Sequence, residues 1–165
     1  MKNLFETSSI LEIKDRIQNL KENGKPVWGE MTTAQMMAHC SKALENAMGE
    51  SYYNNTLLLK IWAFWNKSSN RARYVSSEPF QPSEAIKSKS RIIQQGRLDN
   101  PFRVADDRDF ETEKEMLIKW IDRFYEEGKE KTVKAKHPSF GMFTPSEWAI
   151  GQYKHLDYHL RQFSV

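Results

Sequence analysis

Four histidines occur among the 165 residues, His39, His137, His155 and His159, and the last two stand four positions apart. In a helix of about 3.6 residues per turn, positions i and i+4 share one face, a single turn apart. Two imidazoles so placed can each aim a ring nitrogen at one ion, at about 2.0–2.1 Å for zinc. The rings would act in their neutral form. Two protonated imidazoles bordering a core repel each other and resist burial, and a bound cation removes that conflict. His155 and His159 fall in line with Trp148 and Gln152, beside the stripe of Leu156 and Leu160. They therefore border the core rather than open water. A pair of packed structural histidines has the same spacing, so the pair alone leaves both readings standing.

Firm binding asks for a third ligand. His39 sits beside an apolar stripe, where a lone histidine is more often a packed core residue than a ligand. Asp157 and His137 are its rivals. Asp157 projects roughly 160–200° around the helix from both His155 and His159, at about 100° per residue, and so makes a poor partner for the same ion. His137 precedes Pro138 in a loop that fixes nothing about its direction. The single cysteine, Cys40, neighbours His39 but points about 100° away around the helix. It reads as a small buried hydrophobe, with a thiol nucleophile as the lesser reading. One cysteine excludes an internal disulfide and a Cys-based zinc knot.

The elements that must position these residues carry clear punctuation. A helix is expected from about Ser9 to Asn23, with Ser9 and Glu12 as a capping box, a stripe of Ile10, Ile13, Ile17 and Leu20, and a stop at Gly24 and Pro26. A second is expected from Thr33 to Met48, capped by Thr32 and Gln35 and closed by Gly49. A third candidate covers Thr56 to about Lys67. Residues 68–108, broken by Pro79, Pro82, Gly96 and Pro101, read as loop with a short helix near Ser83 to Gln94. A fourth helix runs from Phe110 to Glu127, with Asp109 as N-cap and Gly128 as stop. The last is best marked: Thr144, Pro145 and Glu147 form its start, Phe143 and Trp148 a hydrophobic staple, and it continues nearly to Val165. Strand signals are weak. The expectation is one all-α domain over 1–165, an up-and-down four-helix bundle with a long irregular middle connection.

Composition agrees with a packed globular chain: 39% hydrophobic, 28% charged and 12% aromatic, with five tryptophans. A net charge of +3 does not point to nucleic acid. Lys60, Lys67, Arg71, Arg73, Lys87, Lys89, Arg91 and Arg97 form a basic middle, followed by an acidic run from Asp106 to Glu115. Both read best as solvated faces. Trp62, Trp65 and Tyr74 interleave with the basic run as a stacking surface for nucleic acid would, but core packing is the stronger reading of them. The start, Met-Lys-Asn-Leu-Phe-Glu, lacks the apolar run of a signal peptide, and the Leu57–Trp65 stretch is too short to span a bilayer. A cytoplasmic location with no membrane partner is the expectation.

The segment Met31-Thr-Thr-Ala-Gln-Met-Met-Ala-His39-Cys40 resembles the helix that carries the first histidine in the DinB-like superfamily. His137-Pro-Ser-Phe-Gly-Met-Phe-Thr-Pro-Ser-Glu-Trp148, followed by Tyr153-Lys-His155-Leu-Asp-Tyr-His159-Leu-Arg-Gln-Phe163, resembles an uncharacterised branch of it. Together these motifs span roughly a third of the chain by residue count. The resemblance implies a four-helix bundle and a site of three histidines, His39 from the second helix and His155 and His159 from a late one.

Three neutral histidines leave coordination positions open, the mark of a catalytic rather than a structural site. Zinc, nickel, iron, copper or manganese would suit them. The superfamily implies a metal-dependent hydrolase or a transferase of low-molecular-weight thiols, acting on a small-molecule substrate. Asp157, Glu147, Tyr153 and Gln152 are the candidates for orienting the imidazoles. The alternative is a non-catalytic metal-binding or stress-response bundle. Exposed aromatic helices leave room for a homodimer.

Overall fold

The computed structural model describes residues 1–51, 67–82, 104–137 and 141–165. The helix expected over residues 56–66, the short one near Ser83 to Gln94, and Trp62 and Trp65 lie outside the described residues. Among the described residues five helices are seen: α1 (Thr7–Gln18), α2 (Thr33–Ala47), α3 (Lys67–Tyr74), α4 (Phe110–Lys131) and α5 (Pro145–Gln162). A 3-10 turn, Thr132–Lys134, follows α4. After it β1 (Lys136–His137) pairs antiparallel with β2 (Gly141–Met142). The described protein is mostly helical. The small ladder escapes sequence reading because two-residue strands are too short to show alternation.

The caps of the site-bearing helices form as the sequence predicts. Thr32 and Gln35 make a reciprocal capping box at α2, and Thr144 and Glu147 make one at α5, behind Pro145. The staple at α5 is present too, with the Phe143 and Trp148 rings 5.3 Å apart. Asp109 caps α4 through the Thr112 amide at 2.8 Å.

Four expectations need correction. α1 starts at Thr7 with Glu6 as N-cap, so Ser9 lies within the helix and bonds back to the Glu6 carboxylate at 3.3 Å. The same helix stops at Gln18: the Asn19 backbone amide still reaches the Asp15 carbonyl at 3.2 Å, but the Leu20 amide turns to the Ile17 carbonyl, three residues back, at 3.2 Å, and the helical ladder ends there. α4 runs through Gly128 to Lys131. Gly128 is a packing position there, since a Cβ would sit 3.1 Å from the Phe5 ring. Finally, α3 lies inside the stretch read as loop. Lys-Ser-Ser-Asn-Arg-Ala-Arg-Tyr has no apolar stripe to announce a helix.

α2 packs chiefly against α4 and also meets α5, while α1 lies on α4 and α5. The predicted stripe of Ile10, Ile13, Ile17 and Leu20 is buried, as are Met36, Met37 and Leu44 of α2 and Leu156 and Leu160 of α5. Arg16 ties α1 to α5, reaching the Asp157 carboxylate and the Val165 carbonyl, each at 2.9 Å. Among the described residues no helix is long and apolar enough to cross a membrane. This packing brings the His39 turn of α2 opposite the turn of α5 that bears His155 and His159.

Candidate metal centre

Three imidazoles meet between α2 and α5. His39 and His155 have ring centroids 4.9 Å apart, His39 and His159 4.8 Å, and His155 and His159 4.7 Å. The rings form a near-equilateral triangle, each set steeply to the others at 67°, 73° and 85°. One nitrogen from each ring lies within 4.8 Å of those of the other two. It is the one cluster of this kind among the described residues.

The donor set fits a divalent ion. The Nε2 atoms of His39 and His155 are 3.0 Å apart. Two nitrogens bonded to one ion at about 2.1 Å stand about 3.0–3.4 Å apart for right-angle to tetrahedral arrangements. The same contact without an ion is a hydrogen bond in which one ring donates and the other accepts. His39 and His159 are buried and His155 is partly exposed. Burial first, then the charge that His159, His39 and His137 would carry, holds the His155 ring well below its ordinary range. His155 is thus neutral at physiological pH, the state in which imidazole ligates.

Gln152 adds a second sign of an absent partner. It lies three residues ahead of His155 and seven ahead of His159, on the same face of α5. The residue is 3% exposed, and its Oε1 has no hydrogen-bond donor among the described residues. An unpaired buried acceptor costs about 1–3 kcal/mol. A cation or a donating substrate group would relieve that cost.

The other residues proposed from sequence are committed elsewhere. Asp157 accepts from Arg16 and from Arg161 Nε, both at 2.9 Å. Its projection away from the histidines, expected from helix geometry, is realised as this double ion pair. Glu147 receives a two-pronged bond from Arg71 at 2.9 and 2.7 Å, and it also caps α5. The Tyr153 hydroxyl donates to Glu12 at 3.2 Å. None of these three is seen to orient an imidazole. That contact comes from Gln162, whose Oε1 lies 2.8 Å from His159 Nδ1. Sequence reading missed it, although the H-x-x-Q spacing puts the pair on one helix face. Cys40 is buried, its Sγ 3.8 Å from Met36 Sδ, and burial pushes its thiol far above the ordinary range. It packs as a small hydrophobe.

His137 stays out of the cluster. Its ring stacks among Tyr74, Phe143 and Trp148, with centroids 5.1, 5.0 and 5.4 Å away. Burial lowers its pKa to about 3. The unfolded chain, with an imidazole pKa of about 6.5, therefore takes up a proton that the folded ring refuses. The folded state keeps its full stability above about pH 6.5 and loses it as pH falls toward 3. Urea denaturation of metal-free protein at pH 7.5 and 5 should show a smaller acid loss in His137→Phe than in the wild type. Equal losses would mean that His137 titrates normally.

Compared with protein-family models, with curated proteins and with solved structures, the chain matches none.

Proposed function

We propose that the protein is a divalent-metal-dependent enzyme of the DinB-like superfamily, an up-and-down four-helix bundle in which His39, His155 and His159 hold one zinc, nickel, iron or manganese ion. The reaction is hydrolysis or the transfer of a low-molecular-weight thiol to a small-molecule substrate. The observation that carries this reading is the triangle of three imidazoles, with Nε2 atoms of His39 and His155 3.0 Å apart.

A bound divalent ion supplies Lewis acidity, which stabilises a thiolate or draws charge from a scissile bond. The chain's own residues supply the rest. Three neutral ligands leave coordination positions for substrate. Gln152, on the His155–His159 face of α5 with Oε1 buried and unpaired among the described residues, would accept a hydrogen bond from a substrate N–H or O–H. Asp157 and Glu147 are engaged by arginines and do not serve as bases.

The test compares chelator-stripped protein with protein reloaded with each metal, on a panel of activated esters and amides and on thiols paired with electrophiles. Turnover of one class is expected in reloaded wild type, absent from stripped protein and from reloaded His159→Ala. Stoichiometric metal without turnover of either class would overturn the enzymatic reading and leave a metal-binding bundle.

A further inference from the structure

Gln162 bonds at both ends of its side-chain amide. One end meets His159 Nδ1 at 2.8 Å, and the other meets the Trp28 backbone carbonyl at 2.5 Å. A carbonyl oxygen only accepts, so the amide nitrogen must face Trp28. The amide oxygen then faces His159 Nδ1, and that nitrogen must carry the proton. A neutral imidazole protonated at Nδ1 keeps its lone pair on Nε2. The Trp28 carbonyl thus decides, through one glutamine, which nitrogen of His159 can ligate.

The segment that holds this carbonyl is itself fixed to α5. The Val27 amide donates to the Gln162 carbonyl at 2.8 Å. The Trp28 ring packs on Tyr158 with centroids 5.5 Å apart, and Tyr158 meets the His159 ring at 5.0 Å. Backbone, amide and rings therefore lock the residues preceding α2 onto the turn that carries His159.

We propose that Gln162 is a positioning residue. Anchored by the Trp28 carbonyl, it holds His159 as the Nδ1–H tautomer with Nε2 as the metal-ligating nitrogen. This rests on the metal-binding reading above, but the tautomer is a property of the metal-free protein as well. Outer partners of this kind contribute about 10–100-fold in metal affinity.

The experiment is nitrogen-15 NMR of the imidazoles in metal-free wild type and Gln162→Met at pH 7.5, with zinc affinity measured by competition against a chromophoric chelator. The wild type should show His159 protonated at Nδ1, and Gln162→Met should populate the Nε2–H form and bind zinc about 10–100-fold more weakly. A wild-type His159 protonated at Nε2, or Gln162→Met with wild-type tautomer and affinity, would overturn the proposal. If Gln162→Met does not fold, the wild-type spectrum alone decides. If the wild type binds neither zinc nor nickel, iron or manganese, the metal reading fails, and the tautomer still tests the role of Gln162.

Discussion

Zinc at a hundred times its dissociation constant should stabilise the wild-type protein by about 2.7 kcal/mol and leave His155→Ala unmoved. A ligand that binds only the folded state adds stability by mass action. In a chain of this length each kcal/mol moves the melting midpoint by about 2–4 °C, so the expected rise is about 5–11 °C. His155 is the sharpest position to remove. Its Nε2 stands 3.0 Å from that of His39, and its ring lies within 5 Å of both partners. Loss of one of three ligands should weaken binding beyond the about 10–100-fold that an outer-shell partner contributes. The metal-free variant serves as its own control, because each protein is compared with and without zinc. Scanning calorimetry with and without zinc reads both numbers. A zinc-induced rise in His155→Ala equal to that of the wild type would mean that the ion binds elsewhere.

Gly151→Ala should lower stability by about 1–3 kcal/mol, the usual cost of overpacking. Helix propensity alone predicts the opposite, a gain of about 1 kcal/mol for alanine inside a helix. Sterics decide the sign. A Cβ at Gly151 would fall 1.9 Å from Tyr74 Cε1 and 2.6 Å from Cζ. The Tyr74 ring cannot step aside freely, since Phe80, His137 and Phe143 hold it with centroids 5.1–5.4 Å away. Adding Tyr74→Leu should recover much of the loss, because the two positions touch and their effects couple. Thermal denaturation of the two single variants and the double variant checks this. A Gly151→Ala protein as stable as the wild type would show that α3 does not seat Tyr74 on α5.

What could be read from the sequence was local. The capping boxes of α2 and α5, the isoleucine stripe of α1 and the shared face of His155 and His159 all follow from spacing within one helix, and each is present. The third imidazole was different. Periodicity put His39 beside a core stripe and could not bring it to α5, 116 residues away. The motif resemblance supplied that expectation, and helix packing places the ring there. Gly128 misled for a tertiary reason. Phe5 needs the space over Gly128, and the helix runs on through it to Lys131. α3 was illegible because its fixed points, Arg71 on Glu147 and Tyr74 over Gly151, lie on another helix. Gln162 could have been found from its spacing to His159. Its anchor on the Trp28 carbonyl could not, being a backbone contact across 134 positions.

The most direct measurement is the metal content of wild type, His39→Ala, His155→Ala and His159→Ala by elemental mass spectrometry, after chelator-free purification and incubation with zinc, nickel, iron and manganese in turn. The account predicts about one ion per wild-type chain with at least one of these metals and close to none in each variant. A wild type that stays empty with every metal, or variants that retain as much as the wild type, would contradict it.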